Sequence, residues 1–153
     1  TPTVYSDLPL FDSGSVVDVN VVNLDVTHTW VGDLDLALTS PEGTTVWIMD
    51  RTCSSADNID INFNDEAAPG PWPCPPVDGG TYQPSNPLAG FDGEETLGNW
   101  TLTVRDNANA DGGSLNSWSL QICRTVPVVE TPFFADGFES GTTGGWSATV
   151  PAP

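Results

Sequence analysis

The sequence predicts an all-β sandwich of short antiparallel strands, and three observations carry that prediction. Apolar and polar residues alternate with period two in several separate segments. No window shows the apolar spacing of an amphipathic helix. Between the alternating segments stand Gly, Asn, Asp and Pro, the residues that turn a chain back on itself. A chain of 153 residues suits one domain of this kind, burying about two-thirds of its unfolded surface around a single core.

Taken in order, Val17, Val19 and Val21 share one face of a first strand, whereas Leu24, Val26, His28 and Trp30 continue with the opposite parity. That slip predicts one extra residue near Val22, a β-bulge. Leu34, Leu36 and Leu38 form the next inward row, with Asp33 and Asp35 facing the other way. Ser40-Pro41-Glu42-Gly43 is a turn signal in which Pro presets φ, and Val46 and Ile48 begin the return, so residues 33–49 read as a hairpin. Ile59, Ile61 and Phe63 alternate with Asp and Asn in a short half-buried strand. Residues 68–90 hold seven prolines, and order there requires a staple and packing by Trp72, Tyr82 and Leu88. Trp100, Leu102 and Val104, then Trp118, Leu120 and Ile122, supply the last two inward rows.

Twenty-one acidic residues face three cations, Arg51, Arg105 and Arg124, for a net charge of −18. Such a surface repels nucleic-acid phosphates and anionic lipid, and it attracts divalent cations; solubility alone also accounts for it. No apolar run approaches the roughly 20 residues that span a bilayer, so membrane insertion is not expected. No signal peptide opens the chain, and the abrupt Thr1-Pro2-Thr3 start reads as a fragment of a longer precursor.

The cysteines are Cys53, Cys74 and Cys123. Cys53 and Cys74 flank the proline-rich loop and are the favoured pair, a closure that contributes about 3 kcal/mol in the chain-entropy model. Cys123 is then left for a partner elsewhere in the precursor. The other arrangements are three free thiols or a metal site, the latter weakened by the lack of any C-x-x-C. A disulfide implies an oxidising compartment, hence a secreted or cell-surface protein.

Two matched segments carry a family resemblance. One is His28-Thr29-Trp30-Val31-Gly32-Asp33-Leu34 running into Ser40-Pro41-Glu42-Gly43-Thr44. The other is Gly98-Asn99-Trp100-Thr101-Leu102-Thr103-Val104-Arg105-Asp106 running into Gly113-Ser114-Leu115-Asn116-Ser117-Trp118-Ser119-Leu120. Residues 1–125 resemble the P domain (Homo B domain) of kexin- and furin-type proprotein convertases and of secreted bacterial serine proteases. The resemblance implies a jelly-roll β-sandwich and an accessory role without chemistry of its own, in which the domain stabilises or targets a catalytic domain of its own precursor or of another protein. It also implies that His28 belongs to the fold motif. Residues 126–153 lie beyond the domain's usual extent. They read as a Pro-containing linker, Val126–Pro132, followed by an aromatic tail from Phe133 to Trp146 and Ser147 that resembles tails of secreted bacterial proteins.

The candidate sites follow from parity and chemistry. His28, the only histidine, falls on the buried face, where a backbone or hydroxyl partner holds it. A Ser-His-Asp hydrolase needs an open imidazole and a strained nucleophile elbow, and no G-x-S-x-G occurs. Asp57, Asp60, Asp65 and Glu66 cluster in sequence as acidic chains generally do, without pointing to paired-carboxylate catalysis. Ca²⁺, which takes six to eight hard oxygens, is the better use of strand-end carboxylates. Asp33, Asp65 and Asp106 are the expected ligands, converging at one pole. Asp111 closes Asn107-x-Asn109-x-Asp111-Gly112, which has the spacing of half an EF-hand loop but has Trp118 where the bidentate Glu would stand. The Asn99-Trp100-Thr101 sequon is read as chance. Trp47, of opposite parity to Val46 and Ile48, faces outward. With Trp72 and Trp146 it could form a platform for a glycan or a protein, the feature of a second reading as a carbohydrate-binding or adhesion module; core packing explains these side chains equally well.

Overall fold

The computed structural model describes residues 2–108 and 110–128; the aromatic tail and Trp146 lie outside them. Eight strands follow one another: β1 (Thr3–Leu10), β2 (Ser15–His28), β3 (Leu34–Thr39), β4 (Thr45–Asp50), β5 (Ile59–Phe63), β6 (Thr81–Tyr82), β7 (Gly98–Asp106) and β8 (Gly113–Thr125). They form two four-stranded sheets, ordered β1-β7-β3-β4 and β6-β5-β2-β8. All neighbours are antiparallel except β5 and β6, which pair in parallel. The sheets close on one core that includes Val19, Leu24, Leu36, Ile48, Ile61, Phe63, Trp100 and Leu102. This is the sandwich that the alternating rows predict.

The inward rows fall where period two puts them, with local exceptions that have physical causes. The predicted bulge is present. The β2 register shifts between Val21 and Leu24, and Asn23 there takes φ +55°, a left-handed conformation that Asn tolerates better than branched residues. A second shift between Val16 and Asp18, not anticipated, turns Val17 outward, 53% exposed, and buries Val16 in its place. Trp30 does not share the buried face of His28. The strand ends at His28, and the chain swings into a 3₁₀ turn at Val31–Asp33 that leaves Trp30 exposed. The residues 33–49 hairpin forms through β3 and β4. Trp118, Leu120 and Ile122 lie half-buried against the core from the edge strand β8. The Trp118 indole N–H donates across to Ser6 Oγ of the other sheet at 2.9 Å.

Cys53 and Cys74 form the disulfide, with Cα atoms 5.2 Å apart; Cys123 is a free, exposed thiol on β8. The proline-rich loop is held as packing requires. Its backbone runs beside β5, with Asp60 N–H donating to Pro76 O, Asn62 N–H to Gly80 O and Asn64 N–H to Tyr82 O. The Trp72 ring packs on Phe63 at 5.3 Å between centroids, and Leu88 is fully buried. Backbone groups that a loop would otherwise leave to water are thereby paired along a sheet edge.

Candidate functional site

β2, β7 and β8 bring their ends together at one pole of the sandwich. His28 closes β2, Asp106 closes β7, and Gly113 opens β8 opposite His28 in the β2–β8 ladder. The imidazole is 2% exposed. Its Nδ1 lies 3.1 Å from the Trp30 N–H, which donates to it in one tautomer, and 3.0 Å from the Trp30 carbonyl, which accepts from it in the other. The backbone N–H of His28 donates to Asn58 Oδ1 at 3.0 Å, and Asn58 N–H returns a bond to the His28 carbonyl. β8 can lie this close only because residue 113 is glycine. A Cβ there would meet the Thr27 carbonyl at 2.0 Å and His28 Cδ2 at 2.8 Å.

Two carboxylates face the ring. Asp106 Oδ2 is 3.6 Å from Nε2, and Asp111 Oδ2 is 3.9 Å from Nδ1. Asp106 Oδ1 accepts from Ala108 N–H at 3.0 Å, and Asp111 Oδ2 accepts from Thr29 Oγ1–H at 2.7 Å. His28 Nε2 and Asp111 Oδ1 are buried without a hydrogen-bond partner. A ligand atom from each of His28, Asp106 and Asp111 lies within 4.8 Å of the others, the one such metal-competent group found among the described residues.

Of the four carboxylates expected to bind Ca²⁺, this pole joins Asp106 and Asp111. Asp33 borders it through its backbone carbonyl, which accepts from Asn107 N–H and from Asn107 Nδ2 at 3.0 Å. Asp65 lies elsewhere. β5 runs antiparallel to β2, so Phe63 pairs with Val21 rather than with the His28 end. The Asp65 carboxylate accepts the N–H groups of Leu88 and Ala89 at 2.9 and 2.8 Å and anchors the proline-rich loop. Two carboxylates and an imidazole fall short of the oxygen-rich shell that Ca²⁺ prefers, so the donor set at this pole does not fit calcium well.

The tryptophans expected to offer a platform are engaged separately. Trp47 faces outward, but the Arg105 guanidinium sits over its ring, 5.0 Å from the centroid. Trp72 donates its indole N–H to the Gln83 carbonyl at 2.8 Å. Asp35 faces away from the Leu34–Leu38 row, as parity suggests, but it is covered there. It is buried on the outer side of β3 under Arg105, whose Nη2 and Nε reach Oδ2 at 2.5 and 3.1 Å, with Asn107 Nδ2 at 2.7 Å. Burial alone would raise the Asp35 carboxyl, but the bonds from Arg105 and Asn107 and the guanidinium charge outweigh it and hold it below its ordinary value.

Beside His28 and Asp106 opens a cavity of about 180 Å³ walled by Val4, Val26, Leu34 and Val104. Ser114 shares its wall, yet that hydroxyl donates to Asn116 Oδ1 at 2.8 Å, and no hydrogen bond joins it to His28 among the described residues. Among the described residues the imidazole therefore has no hydroxyl bonded to it as in a hydrolytic triad.

Among the described residues, two four-stranded sheets with a motif histidine locked at one pole define a β-sandwich domain of a recognisable kind. The chain belongs to the proprotein convertase P-domain family, whose pattern matches residues 17–122. It is 29% identical over 104 residues to the calcium-dependent protease of Trichormus variabilis, covering 66% of this chain and 13% of that protein. It is 29% identical over 108 residues to leupeptin-inactivating enzyme 1 of Streptomyces exfoliatus, covering 71% and 19%. The chain thus spans less than a fifth of either relative. The crystal structure of a serine protease of Aeromonas sobria shares the fold, with TM-score 0.50 and 21% identity over 77% of this chain and 22% of that one.

Proposed function

We propose that this chain is the non-catalytic P domain of a secreted bacterial protein, a serine endopeptidase in the first instance, and that it braces or targets the catalytic domain to which it is joined. The observation that carries the reading is the family match over residues 17–122. It is supported by a histidine held inside the fold, by the Cys53–Cys74 disulfide that suits an oxidising compartment, and by the small share of each relative that this domain represents. No helix among the described residues is long and apolar enough to cross a membrane. The relatives named calcium-dependent proteases make calcium dependence a property to expect of the whole parent enzyme. Of the four carboxylates expected as ligands, Asp106 and Asp111 meet at the His28 pole with a donor set poorer in oxygen than calcium prefers, so we assign that dependence to the parent and not to this pole.

Deletion of residues 1–125 from the precursor that carries them tests the reading. The expected outcome is a lower yield of active secreted peptidase and faster thermal inactivation, with the isolated chain showing no turnover of peptide or ester substrates. Unchanged yield and inactivation rate, or turnover by the isolated chain, overturns it.

A further inference from the structure

We propose that His28, Asp106 and Asp111 form a binding site for a borderline divalent metal of the zinc and cobalt(II) class, a property beyond the accessory role argued above. The first observation is convergence: one imidazole nitrogen and two carboxylate oxygens within 4.8 Å, drawn from the ends of β2 and β7 and from the loop before β8. The second is independent of it. His28 Nε2 is buried and unpartnered, and it lies 3.6 Å from Asp106 Oδ2. Buried polar atoms in native proteins are nearly always paired, so an orphan of this kind marks a place where something else completes the set.

The ring's second nitrogen explains how the donor is presented. When Nδ1–H donates to the Trp30 carbonyl at 3.0 Å, Nε2 is the nitrogen left with a free lone pair, 3.6 Å from Asp106 Oδ2. A metal-ligating histidine is commonly oriented by such a backbone carbonyl. Thr29 plays the same part for Asp111, donating to its Oδ2. At zinc bond lengths of about 2.0–2.1 Å, tetrahedral ligand atoms stand roughly 3.3 Å apart. The Nε2–Asp106 separation is a few tenths of an ångström wider, and the half-buried Asp111 needs to move inward on its loop. Imidazole with two carboxylates suits zinc and its neighbours, whereas calcium prefers more oxygens and no nitrogen. Three protein donors would leave one tetrahedral position for water.

The test uses the full chain with any purification tag removed. Co²⁺ is titrated while its visible absorption is followed, and Zn²⁺ and Ca²⁺ are titrated by calorimetry. The expected result is one Co²⁺ per chain with the intense visible bands of a low-coordinate site, displaced by Zn²⁺ and not by Ca²⁺ at equal concentration. Asp111→Asn, nearly isosteric and on a loop, is expected to weaken Zn²⁺ at least about 100-fold, and Thr29→Val by about 10–100-fold, as loss of an orienting partner does. Circular dichroism on both variants checks that the sandwich is intact, and Asp106→Asn serves as a second ligand variant should Asp111→Asn unfold. Weak multi-site binding unchanged in these variants would mean that the acidic surface alone attracts the metal and would overturn the site. Preference for Ca²⁺ overturns it too. Neither result touches the accessory function, whose readout is protease yield and lifetime.

Discussion

At the Ser15 end of β2, the Glu95 carboxylate accepts from Gly14 N–H at 2.8 Å, Leu97 N–H at 3.0 Å and Ser13 Oγ–H at 3.0 Å. At the His28 end, Asp106 and Asp111 each accept one hydrogen bond and otherwise face an imidazole, leaving His28 Nε2 and Asp111 Oδ1 unpartnered. One pole uses its acid to tie loop backbone together. The other holds its acids in reserve around a nitrogen. The backbone and hydroxyl donors hold Glu95 down at about 2, the mark of a carboxylate fully engaged by the fold. Acidic composition is the same raw material at both ends, and the supply of N–H donors decides whether it serves as structure or remains free to bind.

The comparison can be broken most severely from the core. Trp100 is fully buried, packs edge-on to Phe91 at 5.1 Å between centroids, and donates its indole N–H to the Thr96 carbonyl at 3.1 Å beneath the Glu95 loop. Trp100→Ala is expected to cost about 3–5 kcal/mol in chemical denaturation. Hydrogen exchange should show the Glu95 end opening before the His28 end.

Next in size is the staple. Replacing Cys53 and Cys74 together by Ala is expected to cost about 3 kcal/mol, chiefly by freeing the unfolded chain. Gly32 N–H donates to Ser54 O and Val31 N–H to Ala56 O beside that disulfide, so the loosening should reach the His28 pole first. Equal protection of both poles in exchange measurements would show that the staple does not set their difference.

The smallest effect is the most selective. Glu95 titrates lower in the folded protein than its ordinary value of 4.5. Its contribution is therefore complete above about pH 4.5 and is lost as pH falls toward about 2. Glu95→Gln should remove that part of the acid-limb dependence while leaving metal binding at the other pole unchanged. An acid limb identical to that of the parent protein would show that Glu95 is not a folding contact in solution.

Much of the sandwich was legible because burial on one face writes a period-two signature into each strand. The Leu34–Leu38 row, the Ile59–Phe63 strand, the Trp100 row and the bulge after Val21 are all of this kind. Where the reading failed, a shift invisible to periodicity intervened, as at Val17, or the chain left its strand earlier than the pattern implied, as at Trp30. Parity gave the face of Asp35 but not its burial, because it reports which face a side chain takes and not whether an arginine from the next strand covers it. Of the carboxylates expected as calcium ligands from strand ends and the Asn107–Gly112 spacing, Asp106 and Asp111 come together at one pole. That His28 stands beside them was not legible, because a histidine on an apolar face looks the same in sequence whether or not its second nitrogen has a partner.

By itself the amino-acid order determined the class of fold, the rows that make its core, the stapled loop and the family. Each of these rests on local spacing or on short contiguous motifs. Only the folded chain decided which carboxylates meet, since strand direction sends Asp65 to the proline-rich loop and brings Asp106 and Asp111 to His28. Distances between strand ends depend on topology and register, and these are settled by the packing of the whole sandwich rather than by any one segment.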